Sequence, residues 1–259
     1  MPRLFIKNLI IPGQDLFDGL QENARIRHAA HSAPNKITGM GEQHQRIQPV
    51  VESKSAQSMR FIYIHGFASS PRSRKAERFR TALVALGISM EAPEMDQGDF
   101  EHLTISGQLK VLDSAVEGQP VCLIGSSMGG LVASLYAAEH VEVAKLVLLA
   151  PAFGFASRWQ AKYGGSEPAH LDVFHYGDQK IRRVHYRLIE DALRFPDAPD
   201  PRQPTLIFHG VNDDVVPVGK SRNFAREHEN VRLVELDSDH ELLNVTDRIV
   251  AEALAFLLK

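Results

Sequence analysis

Residues 121–134 read VCLIGSSMGGLVAS, and this stretch decides the fold. Its apolar first part is typical of a buried strand, and its last part continues as a helical run to Glu139. The junction is a G-x-S-x-G pattern with Ser127 as its central serine. In a sharp turn between a strand and a helix this pattern is typical of a nucleophile elbow, because only small neighbours fit around the strained serine. A glycine-rich turn without chemistry is the alternative.

Strands and helices alternate on both sides of this junction. Apolar runs predict strands at MRFIYI from Met59, near 88–92, and at 121–125, 145–151, 205–210 and 231–236. Helical spacing and start signals predict helices from Ser70-Pro71 to Gly87, near 105–116, and at 129–139, 219–227 and 241–258. Such alternation implies right-handed crossovers and a parallel sheet covered on both faces. We therefore predict an α/β fold with a doubly wound, mostly parallel sheet of about six strands.

Residues 1–58 differ in character from the rest of the chain. Between Gly19 and Ser58 there is no aromatic residue and few apolar ones, so the stretch buries too little surface to offset its ordering entropy. Residues 4–17 are more apolar, and we expect an extension that is weakly ordered or docked on the core. Since the compact domain, 59–259, begins at Met59, an upstream start codon is a second hypothesis, which an N-terminal peptide starting at residue 1 or 2 would contradict.

Residues 152–203 interrupt the alternation. This stretch is too aromatic for a flexible linker and too long for a plain connection, so we predict a small cap insertion packed over the sheet edge. Its position implies that it covers the site and selects the substrate. The candidates for the apolar wall of a substrate pocket are Phe153, Phe155 and Trp159.

A serine nucleophile needs a general base, and the base needs a carboxylate to orient it. Asp213 follows the predicted strand at 205–210, and His240 follows the one at 231–236. Because the carboxyl ends of parallel strands meet at one edge of a sheet, we expect Ser127, Asp213 and His240 to converge there as a catalytic triad.

Neighbouring residues offer alternatives to this assignment. Other carboxylates close by in sequence are Asp214, beside the predicted acid, and Asp237 and Asp239, beside the predicted base. We assign the acid to Asp213 because adjacent residues on an extended turn point in different directions. His209, at the end of an apolar strand, is interpreted as a structural histidine that shapes the following turn.

Acyl transfer also needs donors for the tetrahedral oxyanion, usually two backbone N–H groups. The N–H of Met128, directly after the serine at the start of a helix, is one candidate. The N–H of Phe67 in the HGF sequence at 65–67 is the other, although a simple strand-ending turn would also explain that sequence. The single cysteine, Cys122, and the absence of an H-E-x-x-H pattern predict no metal site.

Charge and hydropathy exclude other classes of protein. The 259 residues carry 29 Lys plus Arg against 32 Asp plus Glu, a net charge of -3, which is too balanced for a nucleic-acid partner. No apolar run reaches the roughly 20 residues of a membrane span, and the lone cysteine favours a reducing compartment, so we expect a cytoplasmic protein. Two basic stretches, 72–80 and 182–187, are either solvated faces or attractors of an acidic substrate.

The sequence resembles the α/β-hydrolase superfamily, and more closely the small YqiA/YcfP-type serine esterases. Five segments carry this resemblance: IYIHGFASSPRS, LIGSSMGG, LLAPAF, HGVNDDVVP and DSDHELL. The resemblance covers roughly residues 59–259 and offers no role for the extension. It implies that Ser127 is the nucleophile, Asp213 the acid and His240 the base, with Phe67 and Met128 forming the oxyanion hole.

The resemblance also implies an activity. Members of these families hydrolyse small carboxylic esters or thioesters through an acyl-enzyme, without a cofactor, so the expected partner is a small-molecule substrate. The same triad also serves acyltransferases, lyases and peptidases, and a non-catalytic binding protein on the same scaffold is a further alternative.

Overall fold

The computed structural model of the protein describes residues 59–163 and 168–259. The expectations for residues 1–58 therefore lie outside the described residues. The strands are β1 (Arg60–Ile64), β2 (Val121–Ser126), β3 (Val143–Leu149), β4 (His170–His175), β5 (Lys180–His185), β6 (Thr205–Gly210) and β7 (Val231–Leu236). The helices are α1 (Arg74–Val84), α2 (Ile105–Val116), α3 (Met128–Glu139), α4 (Phe155–Tyr163), α5 (Arg187–Ala192), α6 (Gly219–Glu227) and α7 (Thr246–Leu257), with short 3-10 turns at Phe100–His102 and Leu243–Val245.

The central sheet is parallel, with the strand order β1-β2-β3-β6-β7. Successive side chains of each inner strand point to opposite faces, and both faces are buried. In β1, for example, Ile62 and Ile64 belong to one hydrophobic core, and Phe61 and Tyr63 belong to the other. Burial on both faces explains why these strands read as continuous apolar runs instead of alternating ones.

The helices cover both faces of this sheet. α1 and α7 pack on one face through apolar side chains such as Phe79 and Ile249. α2, α3 and α6 pack on the other face through side chains such as Leu112, Val132 and Phe224. The prediction of a mostly parallel sheet with helices on both faces is confirmed.

The strand predicted near 88–92 is reduced to a single bridge. Glu91 pairs with β1 through two hydrogen bonds, from the Tyr63 N–H to the Glu91 carbonyl (2.8 Å) and from the Glu91 N–H to the Phe61 carbonyl (2.9 Å). Pro93 follows two residues later and has no N–H to continue the ladder. Because Glu91 and β2 lie on opposite sides of β1, the chain reverses its direction across the sheet here, and such a reversal opens a crevice at the carboxyl ends of the strands.

Between β3 and β6 the chain forms α4, the antiparallel hairpin β4–β5 and α5. The hairpin points Leu171, Val173 and Val184 into the core. The Tyr176 N–H donates a hydrogen bond of 2.7 Å to the carbonyl of Ala68. The segment thus packs against the loop that follows β1. Within the described ranges, no helix combines the length and the apolar character that a bilayer crossing requires.

His175, at the end of β4, is a buried histidine that accepts a hydrogen bond. Only 5% of the residue is exposed, its Nδ1 accepts from the Asp178 N–H (3.2 Å), and its ring packs edge-on against Phe100 with centroids 4.8 Å apart. Burial lowers the pKa of His175, although the nearby Asp178 carboxylate opposes this change. The hydrogen bond to Nδ1 also requires that nitrogen to be unprotonated.

We expect His175 to make the fold sensitive to mild acid. Because its pKa in the folded chain lies below that of the unfolded chain, the unfolded state takes up the proton first, and stability is lost as the pH falls below about 6.5. His175→Asn keeps an acceptor for the Asp178 N–H but does not titrate. Urea unfolding at a series of pH values measures the free energy of unfolding. Below pH 6.5 this free energy is expected to fall less steeply with decreasing pH in the variant than in wild type, by at most about 1.4 kcal/mol per pH unit. An unchanged slope would contradict this assignment.

Candidate active site

Ser127 lies in a strained turn between β2 and α3, with φ 52° and ψ -116°. The turn is held by its own backbone, because the Ser127 carbonyl accepts hydrogen bonds from the N–H groups of Gly130 (2.9 Å), Leu131 (3.2 Å) and Ala152 (2.9 Å). A Cβ on Gly129 would lie 2.2 Å from the carbonyl oxygen of Ile64, so only glycine fits where α3 begins against the end of β1. This arrangement is a nucleophile elbow in its geometry.

The structure brings Ser127, His240 and Asp213 together in one hydrogen-bonded chain. His240 Nε2 lies 3.0 Å from Ser127 Oγ, and His240 Nδ1 lies 2.7 Å from Asp213 Oδ2. Asp213 follows β6 and His240 follows β7, at the carboxyl edge of the sheet. The side chain of Asp213 is fully buried and that of His240 is 12% exposed. The serine therefore has a base within reach, and the base has a buried carboxylate behind it.

Asp213 is coordinated through both of its carboxylate oxygens. Oδ1 accepts from the N–H groups of Val215 (2.9 Å) and Val216 (2.7 Å), and Oδ2 lies 2.7 Å from His240 Nδ1 and 3.1 Å from His209 Nε2. Burial alone would raise the pKa of Asp213. The hydrogen bonds from His209 and His240, the positive charge available on His240 and the Val216 N–H outweigh burial and hold that pKa well below its usual range. Asp213 is thus an ionised carboxylate at neutral pH.

The other three carboxylates lie elsewhere. Asp214 is exposed, and Asp237 Oδ1 accepts from the Asn212 side-chain amide at 2.9 Å. Asp239 Oδ1 accepts from the N–H groups of Glu241 (3.0 Å) and Leu242 (3.3 Å). Asp239 therefore folds the turn that carries His240.

Two backbone donors are available beside the serine. Among the described residues, neither the Phe67 N–H nor the Met128 N–H has an intramolecular acceptor. Met128 is the first residue of α3, where the helix dipole favours negative charge. A Cβ on Gly66 would lie 3.3 Å from the Ser127 Cβ, so the loop that carries Phe67 runs directly against the serine. Free donors in this position are suited to stabilise an oxyanion.

The three aromatic residues predicted to line the pocket are placed differently. Trp159 is half-buried and meets the Phe67 ring edge-on, with centroids 6.2 Å apart. Phe155 is buried behind it, 5.4 Å from Trp159. Phe153 is fully buried and stacks on Phe224 of α6 at 4.2 Å, so the structure places its ring in the core and does not bring it to the site.

Two cationic side chains near the site were not singled out from the sequence. Lys75, within the first basic stretch, is buried and donates to the Glu241 carbonyl (2.9 Å), next to His240; burial lowers its pKa. Its position one turn before the core residue Phe79 was the signal that could have identified it. Arg158 of α4 donates to the carbonyl of Val215 at 2.6 Å, and no sequence pattern indicates this contact.

Within residues 59–163 and 168–259, no group of three or more His, Cys, Asp or Glu side chains is arranged to hold a metal ion.

The architecture and this geometry define an α/β-hydrolase fold, and solved structures agree. Est1E from Butyrivibrio proteoclasticus with bound ferulic acid gives a TM-score of 0.67 at 23% identity, covering 78% of this chain and 91% of that chain. Alpha/beta hydrolase domain-containing protein 10 from mouse gives 0.64 at 20% identity, covering 77% and 90%. The monoacylglycerol lipase of Paleococcus ferrophilus gives 0.63 at 16% identity, covering 76% and 93%. The predicted fold is confirmed.

The chain belongs to the family described as Uncharacterised protein family (UPF0227), whose model matches residues 60–257. This confirms the resemblance to YqiA/YcfP-type proteins that the sequence motifs indicated. No sequence among the curated proteins matches significantly.

We expect Gly129→Ala to lower the free energy of unfolding by about 3 kcal/mol or more. The added Cβ would overlap backbone atoms of β1, lying 2.2 Å from the Ile64 carbonyl oxygen and 2.5 Å from that of His65, and backbone cannot rotate away as a side chain can. Urea denaturation of the purified variant measures the change.

Gly219→Ala is the matched control. A Cβ at Gly219, the first residue of α6, meets no atom within 4 Å. Since alanine is a better helix former than glycine, the free energy of unfolding of this variant is expected to stay within about 1 kcal/mol of wild type or to rise. Equal stabilities for the two variants would contradict the close approach at Gly129.

Proposed function

We propose that the protein is a serine hydrolase that cleaves a small carboxylic ester or thioester through an acyl-enzyme intermediate. The observation that carries this proposal is the continuous chain from Ser127 Oγ through His240 to Asp213, with distances of 3.0 Å and 2.7 Å. Beside it lie the Phe67 and Met128 N–H groups, which have no acceptor in the part of the chain that the structure describes. A non-catalytic protein has no need of a nucleophile, a base, a carboxylate and an oxyanion site in one place. The similar solved structures include a monoacylglycerol lipase and Est1E with bound ferulic acid, which is consistent with ester chemistry.

In the acylation step, Ser127 Oγ attacks the substrate carbonyl carbon while its proton passes to His240 Nε2. The carbonyl oxygen becomes an oxyanion that accepts hydrogen bonds from the Phe67 and Met128 N–H groups. The tetrahedral intermediate collapses when the bond to the alcohol or thiol breaks, and His240 donates its proton to that leaving group. The acyl group stays bound to Ser127 as an ester.

Deacylation repeats these proton transfers with water. His240 removes a proton from a water molecule, whose oxygen attacks the acyl carbon, and then returns that proton to Ser127 Oγ as the carboxylic acid leaves. Asp213 remains ionised throughout, because its pKa is held low, and it stabilises the imidazolium form of His240 in both steps.

The segment between β3 and β6 supplies the acyl wall in this proposal. Trp159 of α4 meets the ring of Phe67, whose N–H is the proposed oxyanion donor. An acyl group bound at Ser127 would extend along these rings, and their apolar faces favour an uncharged acyl chain over a charged one.

We expect Ser127→Ala to lower kcat for p-nitrophenyl esters by about 10⁴-fold or more, since it removes the nucleophile and leaves only binding and oxyanion stabilisation. A p-nitrophenyl ester series of increasing acyl length, assayed beside wild type, measures this. A fluorophosphonate probe followed by peptide mass spectrometry is expected to label Ser127 in the wild type only.

Ser126→Ala is the matched control, because Ser126 is the adjacent serine but has no part in the hydrogen-bonded chain. It is expected to retain activity within about 10-fold of wild type. Label on another residue, or equal activity in Ser127→Ala, would overturn the proposal. A p-nitrophenol burst without turnover that an added alcohol or thiol relieves would favour an acyltransferase over a hydrolase.

We expect Trp159→Ala to change the acyl preference. Removing the indole widens the space beside Phe67, so kcat/KM is expected to rise for longer acyl chains relative to acetyl, by about 3- to 10-fold in the ratio. Trp159→Phe keeps an aromatic ring and is expected to stay close to wild type. An identical chain-length profile in all three proteins would place the acyl pocket elsewhere.

A further inference from the structure

His209, the fifth residue of β6, is fully buried and has no role in the two proton-transfer steps above. Its ring nevertheless contacts three polar groups. Nε2 lies 2.9 Å from the Val216 carbonyl oxygen and 3.1 Å from Asp213 Oδ2, and Nδ1 lies 2.7 Å from Ser221 Oγ. Ser221, on α6, is also fully buried.

These contacts determine which ring nitrogen carries the hydrogen. The Val216 carbonyl and the ionised Asp213 carboxylate can only accept, so the nitrogen between them, Nε2, is a donor. In the neutral ring Nδ1 is then an acceptor, and it takes the hydroxyl hydrogen of Ser221. The opposite tautomer would aim an Nε2 lone pair at two oxygens. The Val216 and Asp213 oxygens therefore fix the tautomer, and the Ser221 hydroxyl satisfies the ring nitrogen that is left without a hydrogen.

Asp213 Oδ2 is consequently shared between two imidazole N–H groups. His240 approaches it at 2.7 Å and His209 at 3.1 Å, while Oδ1 is held by the two backbone amides of the following turn. A donor on Oδ2 restricts rotation of the carboxylate and draws off part of its negative charge. The charge that remains on Oδ2 is what stabilises protonated His240.

We propose that His209, whose ring is held by Ser221 at Nδ1, is a positioning residue that aligns Asp213 and limits how strongly this carboxylate stabilises the protonated form of His240. The proposal rests on the function proposed above. Without the His209 donor, the full charge of Oδ2 faces His240 and stabilises its protonated form more strongly.

Other charged groups face this pair from the surrounding elements. Lys75 of α1 and Arg158 of α4 act on Asp213, and Glu235 of β7 acts on His209. All three stay in place in the variants below. Any change in the pH profile then follows from the His209 donor alone.

The test compares two variants. His209→Phe keeps a ring but loses the donor, whereas His209→Gln has a side-chain amide nitrogen that can donate from about the position of the histidine Nε2. The measurement is kcat/KM for p-nitrophenyl acetate from pH 5 to 9, expressed per active site as titrated with a fluorophosphonate. For His209→Phe we expect kcat about 10- to 100-fold lower, KM changed by less than about 3-fold, and the acid limb of the profile moved to higher pH. His209→Gln is expected to recover most of both effects.

Ser221→Ala provides a second variant that leaves the histidine in place, in case His209→Phe does not fold. Loss of the hydroxyl leaves the buried Nδ1 without a hydrogen-bond partner and the ring less firmly oriented, so a smaller decrease in kcat and a shift of the acid limb in the same direction are expected.

The outcomes separate the two proposals. A wild-type protein that is neither labelled nor active would overturn both. If the wild type is labelled and active, and if His209→Phe and Ser221→Ala match it in kcat per active site and in pH profile, only the role of His209 is overturned. Variants with a lower melting temperature but an unchanged profile per active site would also overturn it, since His209 would then only support folding.

Discussion

The start of α3 lies so close to the end of β1 that a side chain on Gly129 would overlap the carbonyl of Ile64. This approach brings the loop after β1 against Ser127, and so sets the Phe67 and Met128 amides beside the serine. It also commits Ser127 to positive φ, a strain that the hydrogen bonds to its carbonyl help to maintain. The proposed oxyanion donors and the proposed nucleophile thus share one packing constraint.

Burial increases along the hydrogen-bonded chain that runs from the serine inward. His240 keeps 12% of its side chain exposed, whereas those of Asp213 and His209 have none. Hydrogen bonds are stronger in the less polar interior, and an unpaired carboxylate there is costly, so the inner end has to be fully coordinated. The two backbone amides and two imidazoles around Asp213 meet this requirement.

Sequence patterns predicted the sheet and the convergence of Ser127, Asp213 and His240, because strand ends and chain order carry that information. The exact ends of the helices were harder to predict, because several neighbouring residues can serve as the N-cap. The first helix was predicted from Ser70-Pro71, but it begins at Arg74, where the Ser73 side chain accepts from the Ala76 N–H. The hairpin between β3 and β6 was not predicted, since β5 reads KIRRVH and only one of its six residues is buried. Contacts such as His209 with Asp213 depend on side-chain directions, which periodicity does not encode.

Trp159 is the single tryptophan among 259 residues, and it lies against Phe67 in the loop that borders the serine. The tryptophan fluorescence of this protein therefore comes from one indole at the proposed pocket, without background from other tryptophans. Its half-buried environment makes emission sensitive to water and to any molecule that displaces water there. The protein thus carries its own optical reporter, through which occupation of the proposed pocket can be followed in real time without an added label.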